Sequence, residues 1–211
     1  MMKTENLIAM LARGPTAADC HTTERCLGLA AAAGAVVAAL GVFTFLGPLP
    51  DISSQWTHPG SWLKVAFPAS FAFAAFAASC RLGRPGATLG KAPLLLAGPI
   101  AVVALAWGFA SVGDLTPQVA GQSGYECVLR IALLALPGLI AGFAALRRLA
   151  PTRLQAAGAG AGLLAGAIAA TIYSFYCGET RASLVTLWQS LGMSIPVLVG
   201  VALGPRWLQW V

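Results

Sequence analysis

Charged side chains are scarce in this chain of 211 residues: 13 Lys and Arg and 7 Asp and Glu make up 9% of it, against 58% hydrophobic residues. A soluble domain needs far more charge to cover its surface. The mean hydropathy of +0.78 therefore implies that the chain uses lipid as its solvent. Catalytic signatures are missing as well. The chain has no His-Glu-x-x-His, no P-loop, no dinucleotide fingerprint and no Cys-x-x-Cys, which removes the usual sequence marks of a zincin, a nucleotide hydrolase or a dithiol oxidoreductase. Its long apolar segments carry no Asp, Glu, Lys, Arg or His at mid-depth. Proton and ion pathways depend on buried ionisable groups at that depth, so a pump or secondary transporter is disfavoured.

Six long apolar segments are present, at Leu27 to Gly47, Trp62 to Cys80, Ala92 to Val112, Cys127 to Leu146, Leu154 to Tyr176 and Leu184 to Leu203. Each is long enough to cross a hydrocarbon core of about 30 Å as a helix. Helix is the open choice, because lipid satisfies no backbone hydrogen bonds. Turn formers separate the segments: Gly47-Pro48, Arg81 to Pro85, Gly113 to Gly124 and Ala150-Pro151-Thr152. The sequence thus predicts an all-α membrane protein, a bundle of six transmembrane helices with short loops. Residues 1–26 form a cytoplasmic N-terminal segment, residues 27–206 the membrane domain and residues 207–211 a cytoplasmic tail. The polar, mixed-charge start lacks the order of a secretory signal.

Lys and Arg set the orientation. Lys3, Arg13 and Arg25 precede the first span, Arg81, Arg84 and Lys91 lie between the second and third, and Arg147, Arg148 and Arg153 lie between the fourth and fifth. Arg206 follows the sixth, whereas the alternate loops hold only Arg181. The positive-inside rule then places both termini in the cytoplasm of a bacterial inner membrane. Scattered loop charges of this kind make no basic face for direct nucleic-acid binding. Lys64 and Arg130, just inside the outer ends of their spans, are read as snorkelling outward. Trp56, Trp62, Tyr125, Tyr173, Tyr176 and Trp188 map to the outer interface, and Trp207 and Trp210 to the inner one. Gly158, Gly162 and Gly166 share a face of the fifth span; Gly192, Gly200 and Gly204 do so in the sixth, with Pro196 in the intervening slot. Small residues at that spacing let helix backbones approach closely in lipid.

The five cysteines divide by side. Cys20, Cys26 and Cys80 fall in reducing cytoplasm and read as small apolar residues. A metal site at Cys20-His21-Cys26 lacks a fourth ligand, and no cofactor is indicated. Cys127 opens the fourth span and Cys177 follows the fifth, both on the oxidising side. Cys127 lies 23 residues before Ala150 and Cys177 27 after it, so neighbouring antiparallel helices would hold the two sulfurs within about 6 Å of the same depth. The pair reads as a structural disulfide, as unrelated thiols, or as a sensor of oxidant or thiophilic metal, with His58 as a candidate third ligand. In the N-terminal segment, Leu7, Ile8 and Leu11 share one face of a short amphipathic helix, with Thr4 as its N-cap. Such a helix of about three turns needs a surface to dock on, whether lipid or a protein groove.

The C-terminal half carries a resemblance. Leu146-Arg-Arg-Leu-Ala-Pro-Thr-Arg153, the Gly/Ala run from Ala156 to Ala170, Tyr173-Ser-Phe-Tyr-Cys-Gly-Glu-Thr180 and Leu187-Trp-Gln-Ser-Leu-Gly192 resemble the NrsF family, membrane-bound anti-sigma factors of extracytoplasmic-function (ECF) sigma factors. The opening Met2-Lys-Thr-Glu-Asn-Leu-Ile8 is also similar to that family. Beside Cys177, Tyr176 and Gly178 stand where the family pattern has His and Pro. The resemblance implies an ECF sigma factor as partner, held by the cytoplasmic segment around Thr4, Leu7, Ile8 and Leu11. It also implies that Cys127 and Cys177 sense a signal that releases it. Two other functions compete with it: a membrane thiol redox protein and a small soft-metal transporter.

Overall fold

The computed structural model describes residues 20–47, 59–83, 122–149, 151–177 and 182–209. These form five helices and, among the described residues, no strand: α1 (Cys20–Leu46), α2 (Pro59–Leu82), α3 (Gln122–Leu149), α4 (Leu154–Ser174) and α5 (Ala182–Trp207). Each contains a stretch long and apolar enough to cross a membrane. They correspond to the first, second, fourth, fifth and sixth apolar segments of the sequence. The third segment, Ala92 to Val112, lies outside the described residues. So does the amphipathic stretch with Thr4, Leu7, Ile8 and Leu11.

The helices overrun their apolar cores. α1 begins at Cys20, ahead of Leu27, and α5 continues to Trp207. Polar residues can extend a helix beyond the lipid, because water there accepts their side chains. α1 stops at Gly47, whose φ of 83° is a left-handed conformation that glycine adopts without a Cβ clash.

Packing departs from the soluble pattern. Many large side chains face outward, among them Leu29, Val36, Leu40 and Phe43 on α1 and Leu129, Leu133, Leu136 and Ile140 on α3, although Leu27, Phe67, Ile131 and Leu146 are fully buried. Small ones face inward, above all on α4, where Ala157, Gly158, Ala161, Gly162, Ala165 and Gly166 are buried. Lipid tails are as apolar as leucine, so association rests on close van der Waals contact rather than on hydrophobic expulsion. α4 is the centre, with its broadest interface against α5 and further ones with α2 and α3.

The glycines permit that contact. A Cβ at Gly158 would strike the Gly200 carbonyl, and one at Gly200 would strike the Gly158 carbonyl. A Cβ at Gly166 would stand 2.8 Å from the Pro196 ring, and one at Gly204 2.5 Å from the Leu154 carbonyl. Gly158 and Gly162 therefore face Gly200 and Gly204, with Pro196 seated against Gly162 and Gly166, whereas Gly192, predicted to share that face, packs against Ile131 of α3. α1 and α3 cross in the same way, since a Cβ at Gly34 would lie 2.6 Å from the Gly138 Cα.

Helix directions follow from the same pairs. Gly138 packs on Ala165 and Gly142 on Ala161, so α3 and α4 are antiparallel. Gly160 meets Ser79 and Leu82 near one end, and Ser174 meets Lys64 near the other, so α2 and α4 are antiparallel as well. Hence α2 and α3 run parallel to each other. Arg25, Arg81, Arg147, Arg148, Arg153 and Arg206 collect at one end of the bundle (the arginine end), and Lys64, Arg130, Cys127 and Cys177 at the other (the cysteine end).

Candidate functional site at the cysteine end

All five described helices contribute to the end of the bundle that holds Cys127 and Cys177. Cys127 lies in the second turn of α3, and Cys177 in the short turn that ends α4. That turn is closed by backbone bonds from Tyr176 N–H and Cys177 N–H to the Tyr173 carbonyl, at 2.9 and 3.1 Å. Extending the Gly138–Ala165 register along the two helices brings Cys127 level with the Phe175–Cys177 turn, as the depth argument expects. The two sulfurs lie within electrostatic range of each other, with Arg130 and the Tyr173 hydroxyl beside them. Both are unbridged thiols. Cys127 is buried at 7% exposure and Cys177 is half-buried.

The surrounding side chains hold this end together. Trp188 of α5 lies flat against α3 where Gly124 has no side chain; a Cβ there would enter the indole ring. The Tyr176 hydroxyl donates to the Gly47 carbonyl at 3.0 Å, tying the thiol-bearing turn to the end of α1. Tyr173 is buried. Of the aromatics assigned to the interface, Trp62 and Tyr125 are exposed as predicted, whereas Tyr173 and Trp188 are at the right level but turn into the bundle. Arg130 pairs with Glu126 at 2.8 Å on the same helix face, both about half exposed. Such an exposed pair contributes about 0.3–0.5 kcal/mol. Glu126→Ala is accordingly expected to cost less than about 1 kcal/mol in detergent unfolding; a larger loss would mean that Glu126 has a second partner.

The sequence reading missed the role of Lys64. This lysine does not snorkel: it is 3% exposed and its ammonium donates to the Cys177 carbonyl. A helix C-terminus concentrates carbonyls with partial negative charge, so it offers a cation a partner within the protein. The main chain of Lys64 is engaged too. In a regular helix its carbonyl would accept from the residue four positions on, but that residue is Pro68, which has no N–H. Side chains from two other helices approach the freed carbonyl instead, the Ser174 hydroxyl at 3.0 Å and Gln189 Nε2 at 3.4 Å. Gln189 Nε2 also donates to the Ser174 oxygen at 2.7 Å. Ser174 and Gln189 are fully buried. A signal was present in the sequence, because a proline four residues after a lysine in a membrane helix frees a carbonyl that a neighbouring helix must satisfy.

Among the described residues, no group of three or more His, Cys, Asp or Glu side chains is gathered to hold a metal ion. His58, the third ligand considered, lies outside them.

A family model described as "Negative regulator of sigma F" (NrsF) matches residues 11–210. The chain is 37% identical over 213 residues to the "Probable anti-sigma-F factor NrsF" of Azospira oryzae, covering 99% of this chain and 100% of that protein. It is 33% identical over 214 residues to the "Anti-sigma-F factor NrsF" of Caulobacter vibrioides, with 99% and 100% coverage. No solved structure matches.

Proposed function

Since the chain belongs to the NrsF family of negative regulators of sigma F, we propose that it is an inner-membrane anti-sigma factor that sequesters an ECF sigma factor and releases it when Cys127 and Cys177 meet oxidant or a thiophilic metal. The match over the whole length of two proteins named as anti-sigma-F factors supports the sequestering role. The observation that carries the sensing role is the pair of neighbouring thiols at one end of the bundle, one buried and one half-buried. Oxidation would join them, and a soft metal would bridge them.

The arginine end supports an orientation with that end in the cytoplasm and the thiols in the periplasm. The parallel run of α2 and α3 supports a further crossing between them: the chain leaves α2 at the arginine end and enters α3 at the cysteine end. With that crossing the helices number six and both termini are cytoplasmic. Residues 1–26, with Thr4, Leu7, Ile8 and Leu11 on one face, then lie on the side where a sigma factor is found. Residues 27–206 form the membrane domain, and 207–211 the tail.

The test is a pull-down from detergent-solubilised membranes, with and without residues 1–20, followed by mass spectrometry. A sigma factor captured only by the intact chain is the expected result. Equal capture by the truncated chain would move the binding surface elsewhere, and no capture by either would overturn the sequestering role.

A further inference from the structure

At the cysteine end of the bundle, both the ammonium and the main-chain carbonyl of Lys64 are met by polar groups of other helices. An ionisable side chain buried in a membrane helix is costly. This one sits near a helix end, where reaching out to the lipid interface would cost little. Its inward course is therefore decided by its partners. Two ties join the same residue to its neighbours at this end: the ammonium donates to the Cys177 carbonyl, and the proline-freed carbonyl shares the Ser174 hydroxyl, at 3.0 Å, with the Ala170 carbonyl at 2.7 Å, while Gln189 Nε2 donates to Ser174 and reaches that carbonyl at 3.4 Å. Both ties lie on the cysteine side of Pro68, where the backbone ladder of α2 is already broken. A break of this kind is where a helix bends. Beyond it, α2 continues to Ser79 and Leu82, which pack against Gly160 at the arginine end.

We propose that Lys64 is a positioning residue for Cys177: it holds the thiol-bearing turn in place and couples the state of that thiol to α2 at its Pro68 break. The proposal rests on the sensing role assigned above to Cys177. When Cys177 is bridged to Cys127 or to a metal, its turn is drawn toward α3. The Cys177 carbonyl then moves off the ammonium, and the upper part of α2 loses one of its two ties to α4. Gln189 contributes a further asymmetry, because its Oε1 is buried without a hydrogen-bond partner among the described residues. It stands ready to accept a donor released nearby.

The test uses the full-length chain in detergent and in cells carrying a sigma-dependent reporter. Site-resolved alkylation by N-ethylmaleimide, read on the tryptic fragment from Leu154 to Arg181, reports Cys177 alone. In Lys64→Met, Cys177 is expected to alkylate about tenfold faster, as loss of one charge-assisted hydrogen bond frees the turn. The reporter is expected to be raised at rest, because the tie whose loss carries the signal is already gone, and to gain little more from diamide. Lys64→Arg keeps a cationic donor and is expected to restore both readouts. If Lys64→Met does not accumulate in the membrane, Ser174→Ala carries the test, because it removes the second tie and leaves the ammonium in place; a shift in the same direction is expected. Wild-type alkylation in these variants overturns the proposal. So does a wild-type response to diamide in Lys64→Met where Cys177→Ser has none. If Cys177→Ser itself still responds, the sensing role fails, and the coupling fails with it.

Discussion

Gly162→Leu is expected to abolish the folded bundle. A Cβ at Gly162 would strike the Pro196 carbonyl and stand 2.8 Å from the Val197 Cα. These obstacles are backbone, so no rotamer change in a neighbour relieves them. α4 and α5 would have to separate along the broadest interface among the described helices, and the stabilisation in this bundle comes from close approach. Overpacking typically costs about 1–3 kcal/mol; a whole leucine driven against backbone belongs at the top of that range or above. Unfolding in mixed detergent measures it, with Gly28→Ala as the contrast. Nothing lies within 4 Å of a Cβ at Gly28, so alanine there is expected to stabilise α1, by up to about 1 kcal/mol. Equal midpoints for Gly162→Leu and the natural chain would mean that the two helices do not meet as described.

Cys127→Ser and Cys177→Ser are each expected to remove the induced response entirely and to leave resting repression intact. Either serine eliminates the bond or bridge that needs two sulfurs, so each single variant should be as severe as the double. That non-additivity is the mark of a pair acting as one unit. Cys26→Ser, at the arginine end, is expected to respond normally. Reporter output with and without diamide, and with and without a soft divalent cation, reads all four variants. A half-sized response in both singles would mean two independent thiols and would sink the paired sensor. The cation arm separates oxidant sensing from metal sensing, since only a bridge by metal persists in the presence of a reductant.

Much of the architecture was legible before any coordinates. The lengths of the apolar segments, the punctuation at Gly47 and at Ala150-Pro151, and the sidedness of Arg81, Arg147, Arg148 and Arg153 each follow from one residue's cost in lipid or in a turn. The glycine rows at Gly158, Gly162, Gly200 and Gly204 were legible too, because only close backbone approach makes repeated glycine favourable inside a helix. The level of Cys127 with Cys177 came from counting residues about a single turn, since helical rise is constant.

Rotation about each helix axis was not legible. In a soluble helix the apolar stripe marks the buried face. Here lipid and core are equally apolar, so the pattern along α1 or α5 does not distinguish them. The inward turn of Tyr173 and Trp188, the outward turn of Leu133 and Phe43, and the burial of Lys64 depend on which neighbours stand beside them. Sequence alone determined that this chain forms apolar helices, which end carries the cationic side chains, and which thiols share a level. Only the tertiary structure decided which face of each helix looks inward, and hence that Lys64 reaches the Cys177 carbonyl instead of water. The physical reason is that lipid decides which segments become helices, whereas partners from other parts of the chain decide how each helix turns.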